Sequence, residues 1–291
     1  MNIVLQALTN SLAIGGIYAL LALGYSIIFS TMKMSHFAQG DIFMLGTFIA
    51  YTFFVTSKFP FAVALILALI LTVVAMLVIE RLAYRRMYNS PGIYLVMCTI
   101  GMGILLRSLA QVIWSGETFP FPSVFNDTPT KFGSIIIVPH NLWIIAISIV
   151  LMVVLNIFMT KTRTGIAMQA VSMNKNAAML MGIKYERIIT VTYLIAAVLA
   201  TFAGVMVAPI YKVYATMGTR VGEKALTAAI MGGFGNVKGA MLGGLMLGIL
   251  ETFGGVYIST EYKDAFAFLI LIVILLFKPQ GILGGKKTTK V

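Results

Sequence analysis

Residues 35–46 read "SHFAQGDIFMLG" and set three polar side chains, His36, Gln39 and Asp41, between two long apolar runs. The spacing from His36 to Asp41 is H-x4-D, which also occurs in some acyltransferases. The stretch is therefore either a catalytic pair or a break in a membrane helix made for another purpose. Its surroundings favour the break. Residues 1–32 before it carry no charge, and neither does the window 42–57 that follows. Across all 291 residues 60% are hydrophobic, 10% are charged, and the mean hydropathy is +0.99. A water-soluble domain cannot hide that much apolar surface, so the chain is a polytopic membrane protein. The uncharged start lacks the basic head of a cleavable signal, and it reads as a retained membrane segment.

A net charge of +12 raises the question of nucleic acid. The charges punctuate apolar runs rather than forming a patch, which argues against it. The lone cysteine, Cys98, excludes a disulfide framework. With only two histidines, His36 and His140, about a hundred residues apart, a histidine-based metal site is not expected. There is no H-E-x-x-H, no G-x-S-x-G and no carboxylate cluster. The tail "GILGGKKTT" misses the phosphate-loop pattern G-x-x-x-x-G-K-[ST].

A hydrocarbon core of about 30 Å needs roughly 20 helical residues. Charge-free windows fall at 1–32, 42–57, 59–79, 87–106, 132–160, 188–211, 225–237, 239–250 and 265–277. The expected fold is all-α, a transmembrane bundle of about eight spans in a single domain over 1–291, with interrupted or re-entrant helices. Segments 80–88 and 161–187 and the tail (Lys278, Lys286, Lys287, Lys290) are strongly basic. Loops 114–141, 210–224 and 252–264 are mixed and hold most of the acids. The positive-inside rule puts the first set in the cytoplasm and the second outside. On this orientation the N-terminus is external. Residues 225–255 must then enter the membrane and return on the outer side.

Two breaks look alike. "FAQGDIFMLG" (37–46) and "FGNVKGAMLG" (234–243) share Phe, an amide and Met-Leu-Gly, a candidate inverted repeat. Paired interrupted helices mark substrate paths in transporters. Gln39, Asp41, Phe234, Gly235, Asn236 and Glu251 are accordingly the candidate path residues. Two simpler readings compete. Gly239/Gly243 and Gly244/Gly248 have the G-x-x-x-G spacing of close helix contact, and Gln39 and Asn236 suit interhelical hydrogen bonding.

In the segment 163–187, Met168, Val171, Ala178 and Met181 share one face of an amphipathic helix that Gly182 would end in a left-handed turn. It is either a surface connector or a docking element.

Taken in order, "GGIYALLALGYSIIF" (15–29), "HFAQGDIFMLG" (36–46), "AVSMNKNAAMLMGI" (170–183), "AGVMVAPIY" (203–211), "MGGFGNVKGAMLGGLMLGILE" (231–251) and "STEYKDAFAFLILIVILLFKPQGILG" (259–284) resemble the inner-membrane permease subunits of high-affinity branched-chain amino acid ABC importers, over essentially the whole chain. The resemblance implies a second, related permease subunit, two cytoplasmic ATPases that carry ATP and Mg²⁺, and a periplasmic substrate-binding protein. It places this chain in a bacterial inner membrane as a transport subunit with no nucleotide site or cofactor of its own. It also makes 163–187 a coupling segment. Asn176-Ala177-Ala178, three residues and Gly182 resemble the "EAA…G" docking motif, with Asn176 in place of glutamate and the later part absent. Relatives of this family carry urea, amides or other amino acids. Outside the family, a stand-alone channel or secondary carrier would need a buried ion site, for which Asp41, Glu251 and Arg107 are the candidates. An acyltransferase would need His36 and Asp41 to act together.

Overall fold

The computed structural model describes residues 2–88, 90–124, 130–132, 135–259 and 261–284. The chain begins with α1 (Asn2–Met32), α2 (Gln39–Tyr51), which continues through a π-turn to Thr56, α3 (Phe61–Ile79), which continues through a second π-turn to Tyr84, and α4 (Gly92–Trp114). A short antiparallel hairpin follows, β1 (Thr130–Phe132) on β2 (Ile135–Ile137). Then come α5 (Pro139–Lys161), α6 (Arg163–Met173), α7 (Lys175–Leu180), α8 (Tyr185–Tyr211), α9 (Met217–Gly232), α10 (Val237–Tyr257) and α11 (Lys263–Phe277). Among the described residues six helices are long and apolar enough to cross a membrane, and α2, α9 and α11 are shorter. The expected bundle of about eight spans thus resolves, among the described residues, into six helices of crossing length and five shorter ones, α2, α6, α7, α9 and α11.

The element order of α1–α4 recurs in α8–α11 with inverted direction. α1 packs on α9 and α10 just as α8 packs on α2 and α3, while α1 lies on α8 and α2 on α9. Each leading helix stops at a lysine in the left-handed region, Lys33 (φ 56°) or Lys212 (φ 62°). Each of these lysines closes its helix with a backbone hydrogen bond, to Phe29 O (2.9 Å) or Ala208 O (2.8 Å). A short extended link follows, and then the second helix begins inside the protein. Gln39 starts α2 against Gly24 of α1, which is about 12 Å short of the end of that helix at 1.5 Å per residue. A backbone stretch without a ladder survives at such depth only when protein buries it, and Met34, His36 and Ala38 are all buried.

The internal repeat is therefore real, but its register differs from the one expected. The start of α2 meets the start of α9, at Gly40 against Gly218 and Gly222. It does not meet the turn at 233–236. That turn sits beside Phe29 and Ser30 at the end of α1, and Gly281 and Gly284 of the tail cover it. Gly233 (φ 117°) and Gly235 (φ 89°) allow its tight reversal. α9 and α10 thus form an antiparallel helical hairpin whose turn lies beside the end of α1.

Three window boundaries shift, two of them for one physical reason. Arg107, taken as the end of a span, lies inside α4; Lys224, taken as a loop residue, lies inside α9; and the window at 132 contains β2 before α5 begins at Pro139. Arg107 and Lys224 each have a carboxylate partner within the bundle, so neither has to reach water. The glycine spacings are packing devices on two faces of α10. Gly239 and Gly243 lie on Gly232 and Ala228 of α9, and Gly244 and Gly248 on Ala19 and Gly15 of α1. The tail residues Lys286, Lys287 and Lys290 lie outside the described residues.

Candidate functional site: a groove where two half-spans meet

Each half-span starts with backbone N–H groups that have no intrahelical partner, and Gly40 and Gly218 let the two starts touch backbone to backbone. A methyl group at either position would collide with the other's carbonyl. Beside this crossing lies a groove of about 280 Å³ whose walls include Tyr25, Asp41, Arg107, Thr219 and Glu223. Asp41, from the first turn of α2, is buried, and its Oδ1 lies 3.1 Å from Arg107 Nε. Arg107 Nη1 donates to Thr219 Oγ1 at 3.1 Å, and Nε to Gly103 O at 3.3 Å. One guanidinium therefore ties α4 to both half-spans. Its side chain keeps 30% exposure, so the charge faces the groove as well as its partner. The arrangement offers a carboxylate, a guanidinium, a hydroxyl and two helix N-termini on one apolar-backed surface.

Asp41 is the one candidate path residue that the structure puts in this groove. Gln39 is fully buried beside it and donates through Nε2 to Ala196 O at 2.9 Å, as interhelical hydrogen bonding requires. Phe234 stacks on Phe29 at 4.0 Å between centroids, and Gly235 lies against the same ring. Asn236 caps α10, accepting from Lys238 N (3.0 Å) and Gly239 N (3.2 Å) while its amide donates to Leu283 O (2.7 Å). Glu251 belongs to a buried network: Tyr18 Oη donates to its Oε2 at 2.7 Å, Lys224 Nζ lies 2.7 Å from its Oε1, and Lys224 also meets Asp264 at 2.7 Å. Sequence reasoning missed Gly40, Gly218, Gly222 and Thr219. The signal was present in the pair Gly218/Gly222 one turn apart after Lys212, but Arg220, Glu223 and Lys224 around it looked like a loop.

His36 and Asp41 part company. The His36 ring reaches Tyr84 Oη at 3.1 Å and stands edge-on to Tyr193, while Asp41 turns to α4. The two side chains have separate partners and form no catalytic pair. His36, from the α1–α2 link, thus packs with Tyr84 at the end of the α3 span and Tyr193 of α8. Close by, Tyr88 Oη donates to Glu80 Oε1 at 2.7 Å; burial, and then this bond, hold the Tyr88 phenol well above its ordinary range.

The segment 163–187 is two helices rather than one. Asn174 breaks it and caps α7, accepting from Ala177 N at 3.1 Å. Met168, Val171 and Ala178 are buried as expected, and Gly182 is left-handed (φ 84°). Met181 was placed on the buried face and is instead 84% exposed, beside Leu180 at 89%. The break at Asn174 rotates the last turn outward. Asn176, Ala177 and Gly182 flank this apolar tip, with Ala178 tucked beneath it.

A family model described as branched-chain amino acid transport system / permease component matches residues 7–275. The high-affinity branched-chain amino acid transport system permease protein LivH of Escherichia coli (strain K12) is 34% identical over 302 residues, covering 99% of this chain and 97% of that protein. The corresponding protein BraD of Pseudomonas aeruginosa is 33% identical over 300 residues, with 99% and 98% covered. The fructose import permease protein FruF of Bifidobacterium longum is similar at 28% identity over 66% of this chain and 56% of its own length.

Proposed function

The chain belongs to the branched-chain amino acid transport permease family, and from that premise we propose that it is the membrane-spanning subunit of an importer that moves leucine, isoleucine and valine across a bacterial inner membrane. A periplasmic binding protein delivers the substrate on the face where Phe119, after α4, and Val213, after α8, exchange two backbone hydrogen bonds of 2.8 and 2.9 Å. A second, related permease subunit faces the groove. Two ATPases, with their ATP and Mg²⁺, dock at the basic end on the tip of α7 through Asn176, Ala177, Ala178 and Gly182. One observation carries the reading: the groove at the meeting of the two half-spans pairs a carboxylate with a guanidinium. A zwitterion sheds water on entering hydrocarbon and needs a partner for each of its charges. Asp41 can take the ammonium group, and Arg107 with the helix N-termini can take the carboxylate. The branched side chain then lies on apolar wall and needs no specific contact.

The test is uptake of labelled leucine by cells that lack the chromosomal copy of this chain and carry it on a plasmid. Uptake that isoleucine and valine suppress in competition is expected, with loss of at least about tenfold for Asp41→Asn or Arg107→Gln while the ATPases still co-purify. A tenfold loss corresponds to about 1.4 kcal/mol, below the cost of stranding a buried charge. Full uptake by both variants would remove the groove from the path, and uptake indifferent to isoleucine and valine would overturn the substrate.

A further inference from the structure

A second, larger groove of about 890 Å³ lies at the basic end, between the close of the α3 span and the start of α8. Five cationic side chains line it, Arg81, Arg85, Lys175, Lys184 and Arg187, against the one carboxylate of Glu186. Arg85 pairs with Glu186, and Lys175 Nζ sits 3.9 Å above the Tyr185 ring. Arg81, Lys184 and Arg187 have no ion pair among the described residues. Water solvates these exposed side chains, but their excess positive charge on one concave surface makes the groove attractive to an anion.

Its position says which anion. The floor includes Thr190 and Val191, in the opening turns of a membrane-crossing helix. Next to Arg81 the outer surface of the α3 span turns apolar, with Val78 and Leu82 exposed (49% and 62%). Charge thus gives way to hydrocarbon-seeking surface within one helical turn, as it does at the headgroup level of a bilayer. Lys175, Met179 and Ile183 of the coupling segment line the groove, whereas the docking residues Asn176, Ala177, Ala178 and Gly182 and the tip residues Leu180 and Met181 do not.

We propose that this groove binds the phosphate headgroup of an anionic phospholipid, whose acyl chains lie along the Val78–Leu82 face of α3. The guanidinium groups of Arg81 and Arg187 take the phosphate oxygens, each able to donate two N–H groups, and Lys184 adds a point charge. The headgroup ties the end of α3 to the root of the coupling segment, so membrane charge tunes how firmly α7 is held.

The test uses the full chain in nanodiscs of phosphatidylcholine with and without phosphatidylglycerol, and counts the lipids that survive detergent extraction by native mass spectrometry. At least one phosphatidylglycerol per chain is expected under conditions that strip phosphatidylcholine. The variant Arg81→Gln/Lys184→Gln/Arg187→Gln leaves the Arg85–Glu186 pair intact. It should retain about a hundredfold less, since each basic residue near a membrane surface contributes a factor of about five. Arg187→Gln alone should show about a fivefold loss if the triple variant does not fold. Equal retention of the two lipids, or wild-type retention by the variants, overturns the site. So does displacement of the lipid by millimolar inorganic phosphate, which would make the ligand free phosphate. Loss of ATPase co-purification with lipid retention unchanged would likewise overturn it and give the groove to a protein partner.

Discussion

Glu251 and Asp41 are both carboxylates sunk in apolar helix, yet their surroundings give them different work. Glu251 is enclosed: Tyr18 and Lys224 satisfy both oxygens, and Lys224 is shared with Asp264. Removing its charge weakens the Tyr18 hydrogen bond and leaves Lys224 with Asp264 alone, so Glu251→Gln should destabilise the chain by about 2 kcal/mol, read as a lowered melting point of the detergent-solubilised protein. Adding Lys224→Met and Asp264→Asn to Glu251→Leu, so that no carboxylate or ammonium of the cluster is left without its partner, should recover part of that loss. A triple variant as unstable as Glu251→Gln would mean that Glu251 has a further duty. Asn236 is likewise structural. Its alanine variant should lose about 1 kcal/mol of stability from the α10 cap and leave the KM for uptake unchanged. A raised KM would return Asn236 to the substrate path.

At the scale of elements, the contact between α2 and α9 is the feature on which the groove depends. Gly40→Leu drives a side chain into the backbone of Gly218, so uptake should vanish and the melting point should fall. Gly101→Leu on α4 meets nothing within 4 Å and should behave as the parent does. Similar behaviour of the two variants in both assays would mean that α2 and α9 do not touch. The coupling element allows a cleaner separation of stability from function. Leu180→Asp alters a side chain with almost no internal contacts, so folding should be untouched while ATPase co-purification drops by at least about tenfold, the scale of one buried interface anchor. Retention of the ATPases would move the docking surface elsewhere. Residues 35–46 were legible as a break because polar side chains interrupt uncharged runs on both sides. The start of α9 was not, because Arg220, Glu223 and Lys224 look like a loop unless Glu251 and Asp264, far along the chain, are known to neutralise Lys224. Met181 misled for a related reason: a helical wheel assumes one continuous helix, and Asn174 ends the first and begins the second.

Over the whole molecule, the inverted repeat sets two half-spans start to start, with α2 running toward the Phe119–Val213 end and α9 toward the basic end. Each lines one half of the depth, so a groove at their junction can be reached from either side if one half-span moves relative to the other. This arrangement has a definite sidedness. Lys33, Arg81, Arg85, Lys161, Lys175, Lys184 and Arg187 all gather at the end where α1 finishes and α8 starts, and basic residues near short loops are held on the cytoplasmic side. Two exposed positions at opposite ends can test it. A Cβ at Gly116 would meet nothing, and Met181 is almost free of contacts, so cysteine should be tolerated at either position in a Cys98→Ser background. A membrane-impermeant maleimide should label Gly116→Cys in intact spheroplasts and Met181→Cys only after permeabilisation. The reverse pattern would put the apolar α7 tip outside the cell, where no ATPase could reach it. The coupling role would then fall, although every helix contact in the bundle would stand. Labelling of both positions from one side would contradict the antiparallel course of α4 and α5, and with it the inverted repeat.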